Sequence, residues 1–177
     1  MSAGADTVLL YGYGNPGRGD DGLGPALASA VEALAIPGVD VDANYQLTVE
    51  DAAEIGRYAA VVFVDAAVQG PEPFCFSSVD GSGVGHLGWT SHSVTPVQVI
   101  ALARQLFGHN VRAYILGIRG YQYNELDEVL SSAAKENLAA AVAFVKNALV
   151  ERQFERYLAE FGPIAAGDGG STWKASP

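Results

Sequence analysis

The sequence predicts an α/β three-layer sandwich, in which a mostly parallel sheet with one antiparallel edge strand lies between two layers of helix. Two features predict it. Short apolar runs recur along the chain, Thr7 to Tyr13 (TVLLYGY), Val39 to Asp42, Ala60 to Asp65 (AVVFVD) and Val111 to Ile118, and such near-continuous runs belong to strands buried on both faces. Between them lie segments whose apolar residues recur at helical spacing, and strands alternating with helices build a parallel sheet whose ligands collect at the carboxyl ends of its strands.

The elements follow in order. The first strand runs into a glycine-rich loop, and Leu27, Val31 and Leu34 after Pro25 mark the first helix, with Pro25 expected as its first residue. After the third strand, Phe74, Phe76 and Ser78 alternate with Cys75 and Ser77 between Pro73 and Gly81. The link before them is too short for a crossover helix, so this strand should pair antiparallel, at an edge. Thr95-Pro96 with Gln98 is a helix-capping signal, and Val97, Ile100 and Ala101 continue that helix. Leu138, Val142, Val145 and Leu149 mark one face of a long helix expected to run from about Ser132 towards Phe161. Residues 1–164 read as one domain, and 165–177, rich in Gly and Ser from Gly167 on, as a loose tail.

Composition narrows the function classes. Twenty acidic residues against ten basic ones, a formal net charge of −10, repel phosphate backbones and anionic lipid, which argues against nucleic-acid or membrane partners. A single cysteine, Cys75, can form neither an internal disulfide nor a multi-thiolate zinc site. No secretory signal or membrane-length apolar stretch is present, and cytoplasm is the expected compartment.

The chemistry should sit in the loop Gly12 to Pro25, which holds six glycines. Gly12, Gly14 and Gly17 satisfy the dinucleotide pattern G-x-G-x-x-G, with Asp42 placed where a ribose-binding acid would stand. Against that reading, Gly19, Gly22 and Gly24 lengthen the loop beyond the fingerprint, and Asp20 and Asp21 would set negative charge beside the phosphates. Asp65 ends the most apolar strand, and His92 lies just before the helix capped by Thr95. If these loops share one edge of the sheet, Asp21, Asp65 and His92 converge on a site suited to a borderline divalent cation such as nickel or zinc. Taken singly, each has a plainer role: Asp21 as a turn residue, Asp65 as a cap, His92 as a solvated loop residue. Cys75 reads as core, and His86 and His109 as surface residues. No H-E-x-x-H, paired C-x-x-C or G-x-S-x-G motif occurs.

Taken together, GYGNPGRGDDGLGP after the first strand, VDAAVQG at the third and SHSVTPVQVIALA before the capped helix resemble the hydrogenase maturation endopeptidases, over most of the chain. The resemblance implies a twisted five-stranded sheet with helices on both faces. It also implies an endopeptidase that removes the C-terminal extension of a nickel–iron hydrogenase large-subunit precursor after nickel insertion. By motif position, Asp21, Asp65 and His92 correspond to the two carboxylates and the histidine that contact metal in that family. They serve as metal ligands or as catalytic groups, with the nickel supplied by the substrate and no permanent organic cofactor. Where many members carry a Gly-Gly-Thr-type segment, this chain has Asp42 to Glu50, and its Gln-Leu-Thr-x-Glu stretch is closer to the branch serving bidirectional, NAD-linked hydrogenases. The alternative reading is a non-catalytic protein of the same fold, either a dinucleotide binder or a nickel-protein chaperone.

Overall fold

A computed structural model describes residues 6–80, 94–123 and 126–161. Strands β1 (Val8–Tyr13), β2 (Val39–Asn44), β3 (Ala60–Ala67), β4 (Phe74–Ser78) and β5 (Arg112–Arg119) form one sheet in the order β2-β1-β3-β5-β4. All neighbours are parallel except β4, which pairs antiparallel with β5 at the edge. The apolar pattern thus predicts both the strand and its direction; its partner is β5 rather than the preceding β3.

Alternation along the strands sends two apolar sets to opposite faces. One face, with Val8 and Leu10 of β1 and Val62 and Val64 of β3, packs against α1 (Leu23–Glu32), α4 (Ser132–Glu151) and α5 (Phe154–Phe161). The other, with Leu9, Tyr11, Val61 and Phe63, packs against α2 (Asp51–Ile55) and α3 (Pro96–Phe107). Because α1 and α2 lie on opposite faces, the chain leaves β1 in one direction and returns as β3 on its other side. The crevice between the carboxyl ends of β1 and β3 is therefore the switch point where ligands of open α/β sheets bind.

Three expectations about helices need correction. The first helix begins at Leu23, two residues before Pro25, on a 3₁₀ turn at Gly19–Gly22. Proline is tolerated there because the first-turn amides have no intrahelical acceptor. Leu34 falls beyond that helix and is exposed. The long C-terminal helix is two helices: Arg152 adopts a left-handed conformation (φ 56°) and ends α4. Its guanidinium donates to the carbonyls of Asp6, Pro37 and Gly38. The break turns α5 back so that Phe154, Tyr157 and Phe161 join Phe74, Phe76, Tyr114 and Phe144 in one aromatic cluster. The Thr95 capping box forms as predicted, with Gln98 N–H donating to Thr95 Oγ1 and Thr95 N–H to Gln98 Oε1. Cys75 is buried. Among the described residues, no helix is long and apolar enough to cross a membrane. His86, His92 and the tail from Gly167 lie outside the described residues.

The glycines of the loop after β1 have a packing role. A Cβ on Gly24 would stand 2.2 Å from the Tyr13 carbonyl oxygen and 2.6 Å from that of Val64, and one on Gly12 would stand 2.3 Å from the Gly24 carbonyl. Helix α1 thus starts against the backbone ends of β1 and β3, closer than any side chain permits. Gly17 meets only the Asn15 side-chain oxygen, at 3.2 Å. Gly24→Ala should therefore destabilise the fold by roughly 2–3 kcal/mol through forced overpacking, whereas Gly17→Ala should stay within about 1 kcal/mol of the parent; urea denaturation of both variants measures the contrast.

Candidate active site

Asp20 and Asp21 are adjacent in the 3₁₀ turn and both are buried, yet they do different things. Asp20 is fully engaged. Its carboxylate accepts from Ser131 N–H (2.7 Å), Ser131 Oγ (2.7 Å), Tyr121 N–H (2.8 Å) and Gln122 N–H (3.0 Å). Burial pushes this carboxyl up, but the hydrogen bonds from Ser131, Tyr121 and Gln122 outweigh it and hold the group below its ordinary value. Ser131 is also the N-cap of α4, its Oγ accepting from Ala134 N–H. Backbone bonds from Gly19 N–H to Asp127 and from Asp20 N–H to Gln122 sew the turn to the same segment. Asp20 therefore locks the turn to the loop that follows β5.

That lock presents Asp21 to the crevice. The Asp21 carboxylate accepts from Asn15 N–H at 3.0 Å, and Asn15 Oδ1 accepts in turn from Gly17 N–H at 2.9 Å, an Asx turn that shapes the loop. Gly14, at φ 136°, lies where a Cβ would come within 2.1 Å of the Asp21 carbonyl oxygen, so the loop closes on itself. These contacts account for the glycine pattern without a pyrophosphate, and Asp42, the acid a dinucleotide would need, sits exposed within β2, which continues to Asn44.

Asp65 does not end β3, which continues through Ala67; it lies two residues before that end, 2% exposed, with its Oδ1 accepting from Ala66 N–H at 2.7 Å. Burial drives its pKa up to about 8; the nearby charge of Asp21 adds to the rise, while the Ala66 N–H and the Tyr13 hydroxyl oppose it. Asp21 thus lies near enough to Asp65, at the β1/β3 switch point, for its charge to add to that rise. His92, expected as the third member, lies outside the described residues, and among the described residues no three His, Cys, Asp or Glu side chains gather as a metal-holding group. Two residues beside the site were not singled out from sequence: Asp20, indistinguishable by type from Asp21, and Tyr13, whose hydroxyl is buried next to Asp65. The signal for Tyr13 was its place as the last residue of an apolar strand, where a polar atom reaches the ligand edge.

No protein-family model matches this chain, and no curated protein sequence does either. Solved structures do. The maturation protease HycI of Thermococcus kodakarensis superimposes with a TM-score of 0.64 at 22% identity, over 81% of this chain and 92% of its own. The hydrogenase 2 maturation peptidase of the Thaumarchaeota archaeon SCGC_AB-539-E09 does so with a TM-score of 0.59 at 25% identity, over 81% and 98%. For the hydrogenase maturating endopeptidase HybD of E. coli the values are 0.62 and 17%, over 83% and 94%. The chain has the hydrogenase maturation protease fold. Its glycine loop and its paired aspartates occupy the ligand edge of that fold.

The raised pKa of Asp65 makes a testable link between the site and stability. In the unfolded chain this carboxyl titrates near its ordinary 3.8, in the folded protein near 8. The folded state then holds the extra proton between those values, so the stabilisation is complete below about pH 4 and is lost as pH rises towards 8. Asp65→Asn removes this dependence. Its stability relative to the parent should grow by up to about 4 kcal/mol between pH 5 and pH 8, and chemical denaturation at the two pH values gives the slope.

Proposed function

We propose that this chain is an endopeptidase that removes the C-terminal extension of a nickel–iron hydrogenase large-subunit precursor after nickel insertion, acting in the cytoplasm and finding its target through the nickel the substrate carries. The observation that supports this reading is a maturation-protease fold in which the charge of Asp21 bears on the buried Asp65 carboxyl at the carboxyl ends of β1 and β3. Two buried carboxylates repel each other, and a cation between them relieves both that repulsion and the cost of burying charge. An oxygen pair completed by one imidazole, His92, without thiolates, suits a borderline cation delivered with the substrate better than one held permanently.

Two roles are open to the carboxylates. As ligands, Asp21 and Asp65 hold the substrate's nickel, which polarises the scissile carbonyl or acidifies a water. As a general base, one of them takes the proton of the attacking water while the other stays on the metal. Asp65 is suited to proton transfer, because its surroundings place its titration near neutral pH. The likeness of Gln46 to Glu50 to the branch serving bidirectional, NAD-linked hydrogenases supports a substrate of that type; Leu47 is buried and anchors the loop, Tyr45 stands exposed beside Gly14 and Pro16 of the glycine loop, and Val49 is exposed.

Incubation with a nickel-loaded precursor, without nucleotide, should release a small C-terminal peptide, read as a mass loss from the precursor. Asp65→Asn and His92→Ala should each slow that release by roughly 10²-fold or more. Full processing by His92→Ala would remove the triad from the mechanism, and an intact precursor with the parent protein would leave a non-catalytic nickel-protein chaperone.

A further inference from the structure

Buried hydroxyls nearly always find a hydrogen-bond partner, and those that do not mark places where a partner arrives or a bond tightens during function. Among the described residues, the hydroxyls of Tyr13 and Tyr123 are buried without a hydrogen bond of good geometry, although that of Tyr13 stands within reach of the Asp65 carboxyl. Tyr123 is packed behind Gly120, where a Cβ would stand 2.5 Å from its hydroxyl, and the glycine explains the fit. Tyr13 has no such structural account. Two residues earlier, Tyr11 donates its hydroxyl to Asp51 at 3.2 Å and so helps fix the loop before α2.

Strand register places Tyr13 beside Asp65. Gly12 of β1 pairs with Val64 of β3, so the next residue of each strand is a neighbour across the parallel pair. Tyr13 packs in the same cluster as Phe63, two residues before Asp65, and alternation puts Asp65 on that same face. With its exposure at 9%, the Tyr13 hydroxyl points into the space beside a carboxyl that is itself 2% exposed. The charge of Asp65 also holds the phenol proton more tightly, after burial as the larger cause. Among the described residues, the backbone donor to the Asp65 carboxyl is the Ala66 N–H, on Oδ1.

We propose that Tyr13 is a positioning residue of the site: its hydroxyl donates to the Asp65 carboxyl and, with the Ala66 N–H, fixes the orientation in which Asp65 shares a cation with Asp21. Ligating carboxylates are commonly held by such outer hydrogen bonds, and losing one weakens metal affinity by about 10–100-fold. The bond tightens when a cation joins the aspartates. The inference rests on the cation-binding reading of the aspartate pair.

Full-length parent, Tyr13→Phe, Asp65→Asn and the double variant would be titrated with nickel chloride by calorimetry and melted in parallel. Tyr13→Phe should bind nickel about 10-fold more weakly, keep its melting temperature, and add no further loss in the Asp65→Asn background. Parent-like affinity in Tyr13→Phe, with or without a fall in melting temperature, would overturn the proposal. A second readout needs no metal: the ¹³Cζ resonance of Tyr13, sensitive to what its hydroxyl bonds, should shift between parent and Asp65→Asn. If the parent binds no nickel but this resonance shifts, the cation-binding reading fails while the Tyr13 to Asp65 bond stands; an unmoved resonance overturns the bond whatever nickel does.

Discussion

Asp20 is a negative charge in a place with no exposure to water, and it stays ionised because four donors from one segment close around it. Each of those donors is a backbone amide or hydroxyl of the chain between β5 and α4, so the carboxylate works as a rivet between two stretches about a hundred residues apart. Charge-assisted bonds of this kind are roughly twice as strong as neutral ones. Nearly everything at the ligand edge inherits its position from this rivet: the 3₁₀ turn, the start of α1, the cap of α4 and the direction in which Asp21 points. Breaking it would leave several amides and a buried charge unpaired together.

The neighbouring aspartate shows the opposite economy. Asp65 is kept in a setting that penalises its ionised form, with a single backbone donor among the described residues and a like charge nearby. A group placed this way weakens the resting protein near neutral pH and becomes comfortable only when a positive charge or a proton arrives. Asp20 serves the architecture, whereas Asp65, on the proposed reading, stores a demand that a ligand can satisfy. On the proposed reading, that contrast in environment, rather than residue type, separates the structural carboxylate from the functional one.

Much of this fold could be read from the sequence, because its strands are short apolar runs and its helices carry periodic stripes. The antiparallel strand at Phe74–Ser78 was legible from the length of its connection, and the α3 cap from Thr95, Pro96 and Gln98. Other features were set by contacts that no local pattern encodes. The apolar stripe of α4 continues towards Phe161 without a proline or glycine, so nothing announced the break at Arg152; it is made by a guanidinium reaching carbonyls from the other end of the chain. The five-residue α2 is too short for a periodic signal. Near the site, the apolar run of β3 led to Asp65, although the strand continues to Ala67, and the glycine loop after β1 led to Asp21, but Asp20 and Asp21 are the same amino acid side by side. Only the tertiary donors tell them apart.

Arg152 also shows how this molecule divides its labour. Its guanidinium gathers carbonyls where β1 and β2 begin, at the opposite end of the sheet from the aspartates. The starts of β1 and of the edge strand β2 are thus clamped by a half-buried cation on backbone oxygens, while the carboxyl ends of β1 and β3 border a crevice that holds a buried carboxyl with a raised pKa. The sheet between them, buried along the whole of β1 and β3, insulates one end from the other. Substitutions that firm the clamped end can offset the instability built into the crevice without touching it, which leaves the chemistry free to diverge on a scaffold whose stability is adjusted elsewhere.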